Sequence, residues 1–127
     1  MEATELNELS HAIIGCAIKV HASIGPGLLE SAYEKCLAYE LVRAGYLVER
    51  QVILPLMYEG FLIDAGYRLD LRVDNKVIVE IKAVEKVLPV HHAQLLSYMK
   101  LSGLHLGLLI NFNVVRLVDG VKRFIMP

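Results

Sequence analysis

Asp70 and Glu80 are the residues of this 127-residue chain whose types and spacing most directly suggest chemistry. They lie in two alternating stretches, Tyr67-Arg68-Leu69-Asp70-Leu71-Arg72-Val73 and Val77-Ile78-Val79-Glu80-Ile81-Lys82-Ala83. Period-two alternation predicts strands with unlike faces. Leu69, Leu71 and Val73 point one way; Arg68, Asp70 and Arg72 point the other. In the second stretch Val77, Val79, Ile81 and Ala83 form the apolar face, with Ile78, Glu80 and Lys82 opposite. A slip of one residue turns every side chain over, so matching the apolar faces requires an odd-length connection. A three-residue loop, Asp74-Asn75-Lys76, pairs Val73 with Val77, Asp70 with Glu80 and Arg68 with Lys82. The two carboxylates then face each other about 5 Å apart.

Like charges directly opposite destabilise a strand pair. A divalent cation removes that repulsion, and a hard ion such as Mg²⁺ takes carboxylate oxygens, water and substrate phosphate. Lys82, two residues beyond Glu80 on the same face, could orient or help deprotonate a bound water, or stabilise a crowded phosphate. The plainer alternative is a solvated polar face on which Lys82 and Arg68 neutralise the acids. Further candidates lie on predicted helices. Gln94 and Tyr98, at i and i+4, share one face behind His91 and His92. Glu30 and Tyr33 stand at i and i+3.

The elements that must position these residues follow from periodicity. Leu6, Leu9, Ile13, Ala17, Val20 and Ile24 recur at helical spacing and predict a helix over 5–23. Gly25-Pro26-Gly27 stops it. A second helix is predicted from Leu28 to about Ala44, with Gly45 as its stop. Strands are expected over Tyr46–Met57, Phe61–Ile63, Tyr67–Val73 and Val77–Val84. Pro89 opens a third helix reaching about Leu101, and strands follow at Leu106–Phe112, Val114–Val118 and Val121–Ile125. A helix inserted among strands predicts an α/β fold with a mixed central sheet flanked by helices.

Composition narrows the function classes. The chain fits one domain spanning 1–127, without need of disulfides or a structural metal. Thirteen Lys and Arg against fourteen Asp and Glu exclude a strongly basic nucleic-acid module, so any grip on phosphate must be local. No apolar run reaches the ~18 residues of a membrane span. The acidic opening Met1-Glu2-Ala3-Thr4-Glu5 is unlike a signal peptide. Cys16 and Cys36 lack metal-ligand spacing and read as core residues in a reducing, cytoplasmic setting. The mean hydropathy of +0.47 is high for a small domain. It predicts strands buried on both faces or a subunit interface, hence a homodimer or a partner-dependent subunit. His11, His21 and Asn111-Phe112-Asn113 read as ordinary structural residues, and Gly25-Pro26-Gly27 lacks the Lys and Ser/Thr of a phosphate-binding loop.

The ordered set of these residues resembles a known family. Gly27-Leu28-Leu29-Glu30-Ser31-Ala32-Tyr33 is similar to the motif that names the GxxExxY proteins. Asp70 followed by Glu80-Ile81-Lys82 resembles the D…ExK core of the PD-(D/E)XK nuclease superfamily. Gln94-Leu95-Leu96-Ser97-Tyr98 is similar to the QxxxY element of its RecB-like and lambda-exonuclease-like branches. The Pro that precedes the motif's Asp is replaced here by Leu69. The resemblance implies a restriction-endonuclease-like core in α-β-β-β-α-β order and metal-assisted phosphodiester hydrolysis, with DNA, or alternatively RNA, as substrate. It implies that Asp70, Glu80 and the Ile81 carbonyl hold Mg²⁺ or Mn²⁺ and that Glu30 approaches from the second helix. Lys82 would position the attacking water, while Gln94 and Tyr98 hold the nucleic-acid backbone; Arg68 is a further candidate phosphate contact. A non-catalytic nucleic-acid-binding or assembly module that keeps the fold is the other functional class.

Overall fold

The computed structural model describes residues 3–127; Met1 and Glu2, part of the acidic opening, lie outside the described residues. Helix α1 spans Ala3–Ile24 and α2 spans Glu30–Arg43. The strands are β1 (Val48–Ile53), β2 (Leu56–Tyr58), β3 (Phe61–Ile63), β4 (Arg68–Val73), β5 (Val77–Lys82), β6 (Leu106–Asn111) and β7 (Val121–Ile125). Helix α3, Pro89–Ser102, joins β5 to β6. Five strands form one sheet in the order β1-β4-β5-β6-β7. Only β5 and β6 run parallel. A parallel pair needs a long crossover, which α3 supplies.

Helices cover both faces of this sheet, which gives two cores. On one face Ile13, Ala17, Tyr33, Leu37 and Leu41 pack on Leu71, Val73, Val79, Ile81, Leu108 and Ile110. On the other, Leu95 and Met99 of α3 meet Leu69, Ile78 and Leu109. Strand β6 is buried along its whole length. Gly107 keeps α3 close to it: a Cβ there would lie 2.8 Å from the Met99 sulfur and 2.9 Å from Leu95 Cδ1. Strands covered on both faces account for part of the high hydropathy. Another part is displayed on the separate β2–β3 hairpin, where Met57, Tyr58, Phe61 and Leu62 are exposed. No helix of the described residues is long and apolar enough to cross a membrane.

Three expectations need correction. The strand expected over Tyr46–Met57 is two strands, because the chain breaks between Ile53 and Leu56. Leu54 turns into the α3 core there and Pro55 has no N–H to give a ladder. The strand expected over Val114–Val118 is absent; Val115 is exposed and Leu117–Gly120 form a 3₁₀ turn. Tertiary bonds override β-propensity in that segment. His21 Nε2 holds the Val114 carbonyl at 2.8 Å, and Leu117 is buried among α1 and the sheet. Gly120 approaches Asn111 so closely that a Cβ would sit 2.1 Å from its carbonyl oxygen. Finally, the alternation expected from Leu69 through Val73 does not hold. Leu69 packs in the α3 core, Leu71 and Val73 in the α1/α2 core.

The Gly25-Pro26-Gly27 break is tied down by one side chain. Tyr33 is fully buried, and its ring stacks on Phe112 with centroids 4.5 Å apart. Its hydroxyl donates to the Gly25 carbonyl (2.6 Å) and accepts the Leu28 N–H (3.1 Å). Gly27 takes φ +90°, a region open to glycine. The first turn of α2, and with it Glu30, is aimed by this hydroxyl. Tyr33→Phe should therefore cost about 1–2 kcal/mol in urea unfolding, the scale of two lost bonds to a buried group. An unchanged midpoint would show that the loop holds itself.

Candidate active site

The β4–β5 connection has the register its length dictates: Val73 opposite Val77, Arg72 opposite Ile78 and Leu71 opposite Val79. Asp74 and Asn75 make the turn at φ +52° and +54°, a region Asn and Asp tolerate. Beyond Leu71 and Val79 side chains take over the cross-strand bonding. The Asp70 N–H donates to Glu80 Oε2 at 2.8 Å, and the Ile81 N–H donates to Asp70 Oδ2 at 2.8 Å. Each carboxylate is thus pinned by a backbone group of the opposite strand.

This face is only partly solvated. Ile78 is fully buried and Glu80 only 4% exposed, because α3 lies over it. Burial disfavours a charged carboxylate, and the neighbouring Asp70 charge adds to the effect. The Glu80 carboxyl is pushed up to about 8. Asp70 is also raised, first by burial, against the lowering effect of the Ile81 N–H. The arginines do not screen the acids: Arg72 pairs with Glu49 at 2.7 Å and Arg68 approaches Asp64 at 3.8 Å. Lys82, half-buried at the end of β5, has no ion-pair partner within 4 Å among the described residues. Its charge nonetheless acts to lower both carboxyls.

Two helices bring further groups, α2 from one face of the sheet and α3 from the other. Glu30, the first residue of α2, accepts the Ala83 N–H at 3.2 Å, one residue past Lys82. On α3, Gln94 Nε2 donates to the Tyr98 hydroxyl at 3.0 Å. Burial and the Glu80 charge raise the Tyr98 phenol. Tyr98 also lies 5.9 Å from the Tyr67 ring, centroid to centroid. A cleft of about 600 Å³ opens there, lined by Tyr67, Gln94, Ser97, Tyr98 and Lys100. The His91 and His92 rings are used structurally: His91 Nδ1 accepts the Leu88 N–H at the start of α3, and His92 packs edge-on against Phe124.

Three participants lie outside the set read from the sequence. Glu34 sits one helical turn after Glu30, on the same face, and is 6% exposed. Its oxygens take Arg50 at 3.0 and 3.1 Å and Gln51 at 2.6 Å. Gln51 Nε2 also reaches Asp70 Oδ1 at 3.4 Å. The i+4 spacing of Glu34 from Glu30 was available in the sequence. The arrival of Arg50 and Gln51 from β1 was not.

Among the described residues no three His, Cys, Asp or Glu side chains form a ready-made metal cage. Two carboxylates with an open oxygen apiece are still a fitting donor set for a hard cation that keeps water and takes substrate phosphate. Asp70 Oδ1 has only the long Gln51 contact, and Glu80 Oε1 has no protein donor among the described residues. A family model of the PD-(D/E)XK nuclease superfamily matches residues 7–124, and the chain belongs to that superfamily. The membership makes nucleic acid its substrate class and phosphodiester hydrolysis its reaction class. Comparison with curated proteins and with solved structures finds no match.

The raised Glu80 carboxyl has a thermodynamic consequence. Folded Glu80 keeps its proton to about 8, whereas in the unfolded chain it ionises near 4.5. The native state therefore holds more protons between those values, and stability falls as pH rises through that window. In metal-free buffer Glu80→Gln should unfold with a much flatter pH dependence. At pH 9 it should be more stable than the parent by about 3–5 kcal/mol, the scale of a carboxyl raised from 4.5 to about 8. Parallel stability profiles for the two proteins would contradict the burial argument.

Proposed function

We propose that the chain is a Mg²⁺- or Mn²⁺-dependent nuclease that cuts DNA, related to the GxxExxY proteins and the RecB-like branch. The observation that carries this reading is the Asp70–Glu80 exchange. The buried Glu80 and half-buried Asp70 carboxylates are held against each other by backbone bonds, each with an oxygen left over. Asp70, Glu80 and the Ile81 carbonyl would hold the ion, with Glu30 approaching from α2, where it accepts the Ala83 N–H. When bound, the ion supplies charge neutralisation and an acidified water at neutral pH.

The chain's own residues do the rest. Lys82, without an acidic partner among the described residues, positions the attacking water and offsets charge on the phosphate. Gln94 and Tyr98 hold the nucleic-acid backbone in the cleft beside Glu80. Arg68, 37% exposed at its side chain and only loosely paired, supplies a further phosphate contact. The grip is local, in keeping with a net charge of -1. One sheet shared by both cores supports reading 1–127 as a single nuclease-like domain. The free thiols of Cys16 and Cys36 agree with a cytoplasmic setting.

Purified protein should cut DNA only with Mg²⁺ or Mn²⁺ present, and Lys82→Ala should lower the rate by about 10²–10⁴, the range for a positioned proton-transfer group. Mg²⁺ should also raise the melting temperature of the parent but not of Asp70→Asn. Undiminished cutting by Lys82→Ala rejects its role. A melting temperature indifferent to Mg²⁺ favours a non-catalytic module.

We also infer self-association through the β2–β3 hairpin. A lone two-stranded ribbon is marginal in water, yet this one exposes Met57, Tyr58, Phe61 and Leu62. Light scattering should give twice the 14.2 kDa chain mass, and Phe61→Ser with Leu62→Ser should restore the monomer. A monomeric parent at high concentration removes the inference.

A further inference from the structure

At one point in the sheet, two neighbouring strands turn over together. Val48 packs in the α1/α2 core, yet Val52, four residues on in β1, packs in the α3 core. The partner strand does the same between Leu71 and Leu69. Register is kept throughout, with Arg50 opposite Leu71 and Val52 opposite Leu69. The residues between them are Gln51 and Asp70, and no ladder pair joins these two. Gln51 adopts φ +52°, a left-handed conformation that is rare for a residue with a Cβ inside a strand. Such a conformation persists only where the surroundings over-determine it, and it marks functional sites.

The surroundings here are specific. Glu34 is buried, and Arg50 holds its Oε2 with two nitrogens at 3.0 and 3.1 Å. The other oxygen, Oε1, takes Gln51 Nε2 at 2.6 Å. A carboxamide nitrogen carries two hydrogens. The second is directed at Asp70 Oδ1, at 3.4 Å. The unequal lengths matter. Gln51 is fixed by Glu34 and only lightly touches Asp70, so it limits the rotation of that carboxylate without consuming the lone pairs of Oδ1. Glu34, for its part, has both oxygens engaged.

We propose that Gln51 is a positioning residue for Asp70, and that Glu34 and Arg50 orient Asp70 through it. Asp70 then keeps Oδ2 on the Ile81 N–H and presents Oδ1 to the cation. The metal part of this inference rests on the function proposed above; the orientation of Asp70 does not.

The test uses the whole chain and two probes. The first is amide hydrogen exchange at Ile81, whose N–H is capped by Asp70, in metal-free buffer. Gln51→Ala should speed exchange at Ile81 about fivefold or more while Val79 and Leu108 keep their rates. A general loss of stability would move all three. The second is Mn²⁺ affinity, which should fall about tenfold, at the low end for an outer partner of a metal ligand. Glu34→Gln is the companion variant and preserves the buried volume. Arg50 takes its single carbonyl oxygen, so its NH₂ group faces that of Gln51 and the clamp is lost. It should match Gln51→Ala in Ile81 exchange, and the double variant should exchange there no faster than either. Unchanged Ile81 exchange in Gln51→Ala overturns the proposal. A double variant that exchanges at Ile81 about fivefold faster again than either single variant overturns the claim that Glu34 works through Gln51. A parent that binds no Mn²⁺ sinks the metal reading alone, and Ile81 exchange still decides the positioning role.

Discussion

The structure turns on one exchange of hydrogen bonds between β4 and β5. Where the ladder would continue past Leu71 and Val79, the Asp70 and Glu80 carboxylates take backbone N–H groups from each other's strands. The exchange fixes both side chains without further machinery. It also holds two like charges together under α3, an arrangement that raises both carboxyls. An ordinary hairpin gains nothing from such a pair. A site that must attract a cation does, because the energy that destabilises the empty pair becomes affinity when the charge is compensated.

The rest of the fold brings groups to this pair from separate directions. Tyr33 anchors the Gly25–Gly27 break and so sets where α2 begins and where Glu30 meets Ala83. The i+4 repeat on α2 brings Glu34 toward β1, where Arg50 and Gln51 wait. Helix α3 is drawn close by the missing side chain of Gly107, which seats Tyr98 near Glu80. The motif Gly27…Glu30…Tyr33 therefore divides its labour. The glycine permits the turn, the tyrosine locks it, and the glutamate faces the end of β5.

Much of this was legible in the chain. The odd-numbered loop at Asp74-Asn75-Lys76 dictated register, because pleating sends alternate side chains to opposite faces. Helical spacing located all three helices to within a few residues. What misled was treating alternation as continuous. Leu69 and Leu71 look equivalent in sequence but lie on opposite faces, since the two strands turn over at Gln51 and Asp70. Of the polar face only Glu80 is buried, and its hydrophilic label says nothing of the helix that covers it. Val114–Val118 has strand-like residues yet bends, because His21 and Gly120 bind and crowd it from elsewhere.

By itself the amino-acid order determined the three helices, most of the strands and the β4–β5 register. Those are short-range properties, set by periods of two and 3.6 and by turn chemistry. Tertiary structure alone decided that Glu80 is buried, that Arg68 and Arg72 pair away from the acids, and that Glu34, Arg50 and Gln51 converge beside Asp70. Desolvation and long-range hydrogen bonds depend on what folds over a residue, and no local spacing encodes that.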